Sequence, residues 1–303
     1  MKTPTYLERG DCVAIVSTAR KIKFSEIKNA VQLLENWGFK IKIGKTIGAE
    51  NSQFAGNDLL RAQDFQEHLD NQNVKAIWCA RGGYGTVRMI DLLDFSTFIK
   101  QPKWIMGYSD VTVLHAHIHC LGVETLHSFM PIDLSETKNG VSEKAKDSLK
   151  NAIFGNTINY TLSETLWNKN GSGKGVLIGG NLSIIYSLCG SSSSINTDGK
   201  ILFIEDLDEY LYHIDRMMQN LKRNRMLKNL NGLLVGGMTK MHDNTILFGK
   251  TAEQIILDVV SEYNFPIAFG FPAGHQQNNQ TLIFGREVEL SVSDNNVNLL
   301  YHK

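Results

Sequence analysis

Residues able to run an acyl transfer stand at or just beyond the ends of apolar runs in this chain. Ser109 follows Gly107-Tyr108 and precedes Asp110 and an apolar helical stretch from Val111. A serine at a strand-to-helix corner after glycine exposes its hydroxyl as a nucleophile elbow does, with the next backbone N–H available to an oxyanion. The closing glycine of G-x-S-x-G is missing, because Val111 holds that place. The same residues therefore read equally as a helix N-cap by Ser109 or Asp110. Glu205 and Asp206 end the run Ile201-Leu-Phe-Ile-Glu-Asp206. A glutamate there is costly to bury without a hydrogen-bonding partner. Arg216 would be a structural partner; His275, in the loop Pro272-Ala273-Gly274-His275, would be a catalytic one, oriented through Nδ1–H. Ser109, Glu205 and His275 would then follow the chain order that α/β-hydrolases also use.

Other segments offer weaker chemistry. Arg81-Gly82-Gly83-Tyr84-Gly85 follows an apolar run, and adjacent glycines let a backbone approach a ligand and turn amides toward an anion. It fails as a dinucleotide fingerprint, since Arg88 stands where Gly or Ala should close it, and a tight strand-to-helix turn explains it as well. His115, His117 and His119 invite a metal reading. No HExxH glutamate lies between them and no further ligand is recognisably spaced, so packed or capping histidines are favoured. Cys12, Cys79, Cys120 and Cys189 form no CxxC pair, and three of them, in apolar surroundings, read as buried reduced thiols.

Composition narrows the classes. The 303 residues suggest two domains of roughly 150 each. Lys+Arg 31 against Asp+Glu 31 leaves no net charge, which argues against nucleic acid as the main partner. Hydrophobic content of 42% fills a sizeable core and excludes disorder for most of the chain. No apolar run approaches the ~20 residues a membrane helix needs, and Glu8, Arg9 and Asp11 stand where a secretory signal would need apolar residues. The expectation is a soluble, cytoplasmic protein without membrane or nucleic-acid partners.

These residues need elements to position them. The first half alternates strand-like runs (12–19, 40–45, 74–80, 103–108) with helical patterns opening near Ser25, Asp58, Thr86 and Val111. Such alternation implies right-handed crossovers and a covered parallel sheet. A polar stretch, 156–174, reads as a linker or surface loop. Beyond it come strand candidates at 175–178, 201–205, 232–237 and 266–271, helices at 181–188, 211–227 and 251–263, and a terminal hairpin (281–290 with 297–301) around Asp294. The expected organisation is two α/β domains, an amino one over 1–155 and a carboxy one over 175–303, joined through that stretch.

Seven segments, in order and spanning nearly the whole chain, together carry a resemblance. They are Gly10-Asp11-x-Val13-Ala14-Ile15-Val16-Ser17, Arg81-Gly82-Gly83-Tyr84-Gly85, Gly107-Tyr108-Ser109-Asp110, Gly179-Gly180-Asn181-Leu182, Glu205-Asp206, Ile214-Asp215-Arg216-Met217 and Pro272-x-Gly274-His275. The chain resembles the LD-carboxypeptidases of serine peptidase family S66, with their relatives the microcin C self-immunity peptidases. The resemblance implies a two-domain protein, with a flavodoxin-like or amidotransferase-like parallel sheet in the amino domain and a β-rich α/β carboxy domain. It implies Ser109 as nucleophile, His275 as base, Glu205 as its orienting group, and Gly83 and Asp110 N–H groups as oxyanion hole. Asn181 falls in a segment that lines the family's cleft, with a helix N-cap as its plainer role. The family commonly carries Arg before Ile-Asp-Arg, where this chain has His213, which puts a substrate-carboxylate contact there in doubt. The implied reaction removes terminal D-alanine from murein tetrapeptides, with no cofactor or metal and with a homodimer as assembly. One rival keeps the triad on a peptidyl-nucleotide, with Trp167 as an aromatic shelf. Another is a non-catalytic ligand-binding module built on the glycine loop.

Overall fold

The protein's structure, a computed structural model, describes residues 1–138 and 140–302. The amino half alternates as its apolar pattern requires: β1 (Cys12–Val16), α1 (Phe24–Asn36), β2 (Lys40–Ile43), α2 (Asp58–Asp70), β3 (Val74–Cys79), α3 (Ser96–Lys100), β4 (Trp104–Gly107), α4 (Thr112–Cys120), β5 (Thr125–His127) and α5 (Glu143–Phe154). The runs CVAIV and WIMG are almost wholly buried, as strands covered by helices on both faces must be. Helix α1 turns Ile27, Ala30 and Leu34 inward at helical spacing.

The carboxy half continues with β6 (Asn159–Leu162), β7 (Gly171–Asn181), α6 (Leu182–Leu188), β8 (Ile201–Leu207), α7 (Leu211–Arg223), β9 (Gly232–Thr239), α8 (Ala252–Val260), β10 (Ile267–Ala268), β11 (Leu282–Phe284), β12 (Glu287–Val292) and β13 (Val297–Tyr301). The first sheet has the order β11-β5-β4-β3-β1-β2, with β1 to β5 parallel; β2-β1-β3-β4-β5 is the flavodoxin-like arrangement. The second runs β10-β9-β8-β7-β12-β13-β6, parallel from β10 to β7 and antiparallel beyond. The two-domain α/β architecture, a parallel-rich amino sheet beside a mixed carboxy sheet, is thus as expected.

Several local expectations differ. Residues 86–94 do not form one helix but two short 3₁₀ turns, Thr86–Arg88 and Ile90–Leu92. The Thr86 N–H is taken by the Asp110 carboxylate (2.8 Å), which fixes the start of the segment from outside it. The stretch read as a linker carries β6 and the start of β7. The expected terminal hairpin is split: β12 and β13 pair around Asp294, but β11 leaves them to pair antiparallel with β5 in the amino sheet. No helix among the described residues is long and apolar enough to cross a membrane.

Candidate active site

Ser109 sits at the corner between β4 and α4, with a φ of 61°. A β-substituted residue in the left-handed region stores strain, which the surrounding structure must over-determine. Asp110, buried beside it, helps by accepting the Thr86 N–H; burial pushes its own carboxyl pKa up. The Gly82-Gly83 turn after β3 backs onto the corner. A Cβ on Gly82 would stand 3.1 Å from Ser109 Cβ, 3.2 Å from its Oγ and 3.4 Å from the Asp110 amide nitrogen. A side chain on Gly82 would crowd the serine and its neighbouring amide, so the bare glycine leaves the hydroxyl its room.

The other half of the site comes from the carboxy sheet. Glu205, wholly buried near the end of β8, accepts from His275 Nδ1 at 2.7 Å and from the His275 backbone N–H at 3.2 Å, both on Oε2. His275 Nε2 meets Ser109 Oγ at 3.1 Å. The loop can carry this contact because Gly274 has a φ of 103°; a Cβ there would fall 2.6 Å from Glu205 Oε2. Burial lowers the imidazole's pKa, but the charge and hydrogen bond of Glu205 more than offset it, and the net shift is upward. The structure thus brings Ser109, Glu205 and His275 into one hydrogen-bonded line across the domain boundary. Arg216, the structural partner considered for Glu205, instead lies over the Tyr212 ring at 5.1 Å.

Asn181 joins two carboxyl groups. Its Nδ2 donates to Glu205 Oε1 (3.3 Å) and to Asp206 Oδ1 (2.9 Å), while its Oδ1 accepts the Ile184 N–H as the cap of α6. It therefore fills the N-cap role and also lines the cleft. Burial, with the charge of Glu205 beside it, pushes Asp206 up to about 7. The Asn181 N–H donates to Thr112 Oγ1 (3.0 Å), pinning the carboxy sheet to α4 three residues beyond the serine. Tyr108 packs its ring 4.8 Å from the His275 ring and donates its hydroxyl to Asp133 (3.2 Å). Sequence reasoning missed Tyr108, Asp133 and the bridging part of Asn181; only the position of Tyr108 beside the elbow offered a hint.

These residues line a cleft of about 380 Å³ that also takes in Arg20, Arg81, Lys138, Asp208 and Glu209. Gly83 and Asp110 both face it. His213 pairs with Glu209 at 2.5 Å, so a cleft-lining acid is held where the family resemblance suggested an arginine. Trp167 is half-buried against the core and is not among the lining residues. His115 bonds Thr125 Oγ1 and the Gly107 carbonyl, His117 meets Ser193, and burial keeps His115 and His119 down at about 4, as packed neutral imidazoles. Among the described residues no cluster of three or more His, Cys, Asp or Glu could hold a metal. Of the cysteines only Cys79 is fully buried, its thiol pushed up to about 12; Cys12 and Cys189 are half-buried, against expectation, and Cys120 is exposed.

A buried carboxylate, an imidazole and a strained serine in line between two α/β domains form the layout of a serine hydrolase. Residues 13–128 match the LD-carboxypeptidase N-terminal domain and residues 174–290 the LD-carboxypeptidase C-terminal domain. The chain belongs to this family, peptidase family S66, and is a serine carboxypeptidase. It is 33% identical over 294 residues to the probable murein peptide carboxypeptidase of Bacillus subtilis (strain 168), covering 96% of this chain and 92% of that one. Over 304 residues it is 27% identical to the microcin C7 self-immunity protein MccF of Escherichia coli, covering 89% and 86%. The crystal structure of muramoyltetrapeptide carboxypeptidase from Oxalobacter formigenes shares the fold, with a TM-score of 0.87 at 24% identity over 96% of this chain and 99% of that one.

Proposed function

We propose that the protein hydrolyses the amide between the L-centre of meso-diaminopimelate, or lysine, and the terminal D-alanine of murein tetrapeptides. Ser109 attacks the carbonyl while His275 Nε2 takes its proton; the N–H groups of Gly83 and Asp110 hold the oxyanion. His275 then protonates the departing D-alanine amine, and water activated by the same imidazole releases the tripeptide from Ser109. Glu205 keeps the imidazole in the required tautomer and stabilises its charged form. The observation that carries this reading is the hydrogen-bonded line Ser109–His275–Glu205 at 3.1 and 2.7 Å. The setting is cell-wall recycling in the cytoplasm, by a homodimer. The deciding experiment is mass spectrometry of murein tetrapeptide incubated with wild type and with Ser109→Ala. Loss of one D-alanine with the wild type only supports both reaction and nucleophile; equal turnover by the variant sinks the assignment of Ser109.

Likeness to the Escherichia coli self-immunity protein over 89% of the chain favours one other substrate, a peptidyl-nucleotide of the microcin C type. A base needs an aromatic shelf. Tyr108, in the described lining of the cleft, is packed on His275 and not free to serve. Competing hydrolysis of the two substrates separates the readings.

A further inference from the structure

We propose that Arg20 receives the terminal carboxylate of the substrate and makes the cleft selective for peptides ending in a free acid; this rests on the peptidase reading above. In a sheet ordered β2-β1-β3-β4-β5 the chain reverses direction between β1 and β3, and ligands bind where the loops after those two strands part. Arg20 stands on the loop after β1 and Gly83 on the loop after β3. The two meet. A Cβ on Gly83 would lie 2.6 Å from Arg20 Cδ and 2.7 Å from its Nε, so the arginine lies across the bare glycine. Its backbone is anchored, because Ser17 Oγ donates to its carbonyl (2.7 Å) and Arg20 bridges to Phe54.

The geometry of the leaving residue calls for a cation here. The carboxylate lies one residue's reach, at most ~3.6 Å, beyond the carbonyl that Ser109 attacks. With the carbonyl oxygen on the Gly83 N–H, the side chain lying across Gly83 is the one placed to meet that carboxylate. A guanidinium fork pairs with it bidentately. Among the described residues the Arg20 guanidinium makes no hydrogen bond or ion pair of its own. Of the other cleft cations, Arg81 donates to the Lys21 carbonyl at 3.2 Å, and Lys138 stands on the far side of the cleft from Gly83, in the segment after Asp133. The segment leaving β8 presents Asp208 and Glu209 to the cleft, acids that disfavour a second carboxylate there and leave the Arg20 side as its place.

The test uses two tetrapeptides, one ending in D-alanine and one in D-alaninamide, with kcat and KM measured on wild type, Arg20→Met and Arg20→Lys. The wild type is expected to prefer the acid by roughly tenfold to a hundredfold in kcat/KM, the range of a charge-assisted hydrogen-bond pair. Arg20→Met loses most of that preference through KM with kcat little changed, and Arg20→Lys restores part of it. The acid-to-amide ratio within one variant does not depend on how much of the protein is folded. An unchanged preference in Arg20→Met overturns this inference alone. A wild type that cleaves neither peptide overturns the peptidase reading, and this inference with it.

Discussion

On the amino-domain side of the cleft, Ser109 is held at a φ of 61° against a glycine turn, so this wall works through backbone geometry. On the carboxy-domain side β8 shifts its register against β9 between Ile204 and Asp206, yet no residue of the strand takes a left-handed φ, and the wall works through buried charge: Glu205 and Asp206 lie adjacent, bridged by the Asn181 amide, with Glu205 bonded to His275. The difference says where each property must come from. A hydroxyl is made available by placement alone, because nothing about its chemistry differs from that of any other serine. An imidazole becomes a base of the right tautomer only through a fixed partner, and a carboxylate serves as that partner best when water is kept from it. The division also explains why the cleft lies between domains: strain and buried charge are supplied by different sheets.

The comparison is broken most severely at the amino wall. Ser109→Ala should lower kcat by about a thousandfold to a millionfold, as removal of a nucleophile does elsewhere, with thermal stability nearly kept because the left-handed strain stays and only a hydroxyl is lost. D-alanine release and a thermal melt check both halves. At the carboxy wall Glu205→Gln should cost about 10⁴ in kcat, the size of the loss when the orienting carboxylate becomes an amide in a serine triad. It should also move the pH profile. In the wild type kcat/KM climbs as His275 gives up its proton, and Glu205 holds that midpoint above 6.5; without the charge the midpoint falls to lower pH. The same raised pKa adds stability that is full below the unfolded imidazole value and is lost as pH rises through the folded one, and Glu205→Gln should flatten that slope. A profile that stays in place would mean that Glu205 does not act through His275.

Much of this was legible along the chain, for physical reasons that differ by element. The runs 12–16, 74–79 and 104–107 are apolar because both faces of a parallel strand are buried, so they announce themselves. Ser109, Glu205 and His275 drew notice because ligand-facing residues of such sheets follow strand ends, and the structure sets them within hydrogen-bond reach of one another. What escaped notice depends on distant partners. Residues 86–94 carry a helical pattern, yet a carboxylate from Asp110 fixes their start and the segment tightens into 3₁₀ turns. Strand β11 is only Leu282–Phe284, and nothing local says that it crosses to β5 and not to its sequence neighbour. The bridging amide of Asn181 is invisible beside its cap role, since both use one short side chain at the same helix start.

A smaller effect sharpens the account of the charged wall. Asn181→Ala should lower kcat about tenfold and cost roughly 1–3 kcal/mol of stability, because two buried carboxyl groups lose the donor between them. Asp206, already raised to about 7, should rise further, and that shift is readable by following the carboxyl in an NMR titration.

The smallest effect on turnover belongs to a second cavity, about 630 Å³, between the same two domains but lined by Tyr6, Glu124, Arg286 and Tyr301 in place of any member of the serine line. There Arg286 and Glu124 close on each other through Nε (3.1 Å) and a second nitrogen, and the acid is 5% exposed. This pair ties the residue before β5 in the amino sheet to the turn between β11 and β12, a fastening between the sheets that lies outside the lining of the serine cleft. Glu124→Gln leaves a mostly buried guanidinium without its counter-charge and should cost roughly 3 kcal/mol in unfolding free energy. Yet kcat should hold near the wild-type value wherever the protein remains folded. A fall in kcat without a fall in stability would show that the buried charge of the two cavities is coupled. The division between a fastening ion pair on one side and a catalytic one on the other would then have to be given up.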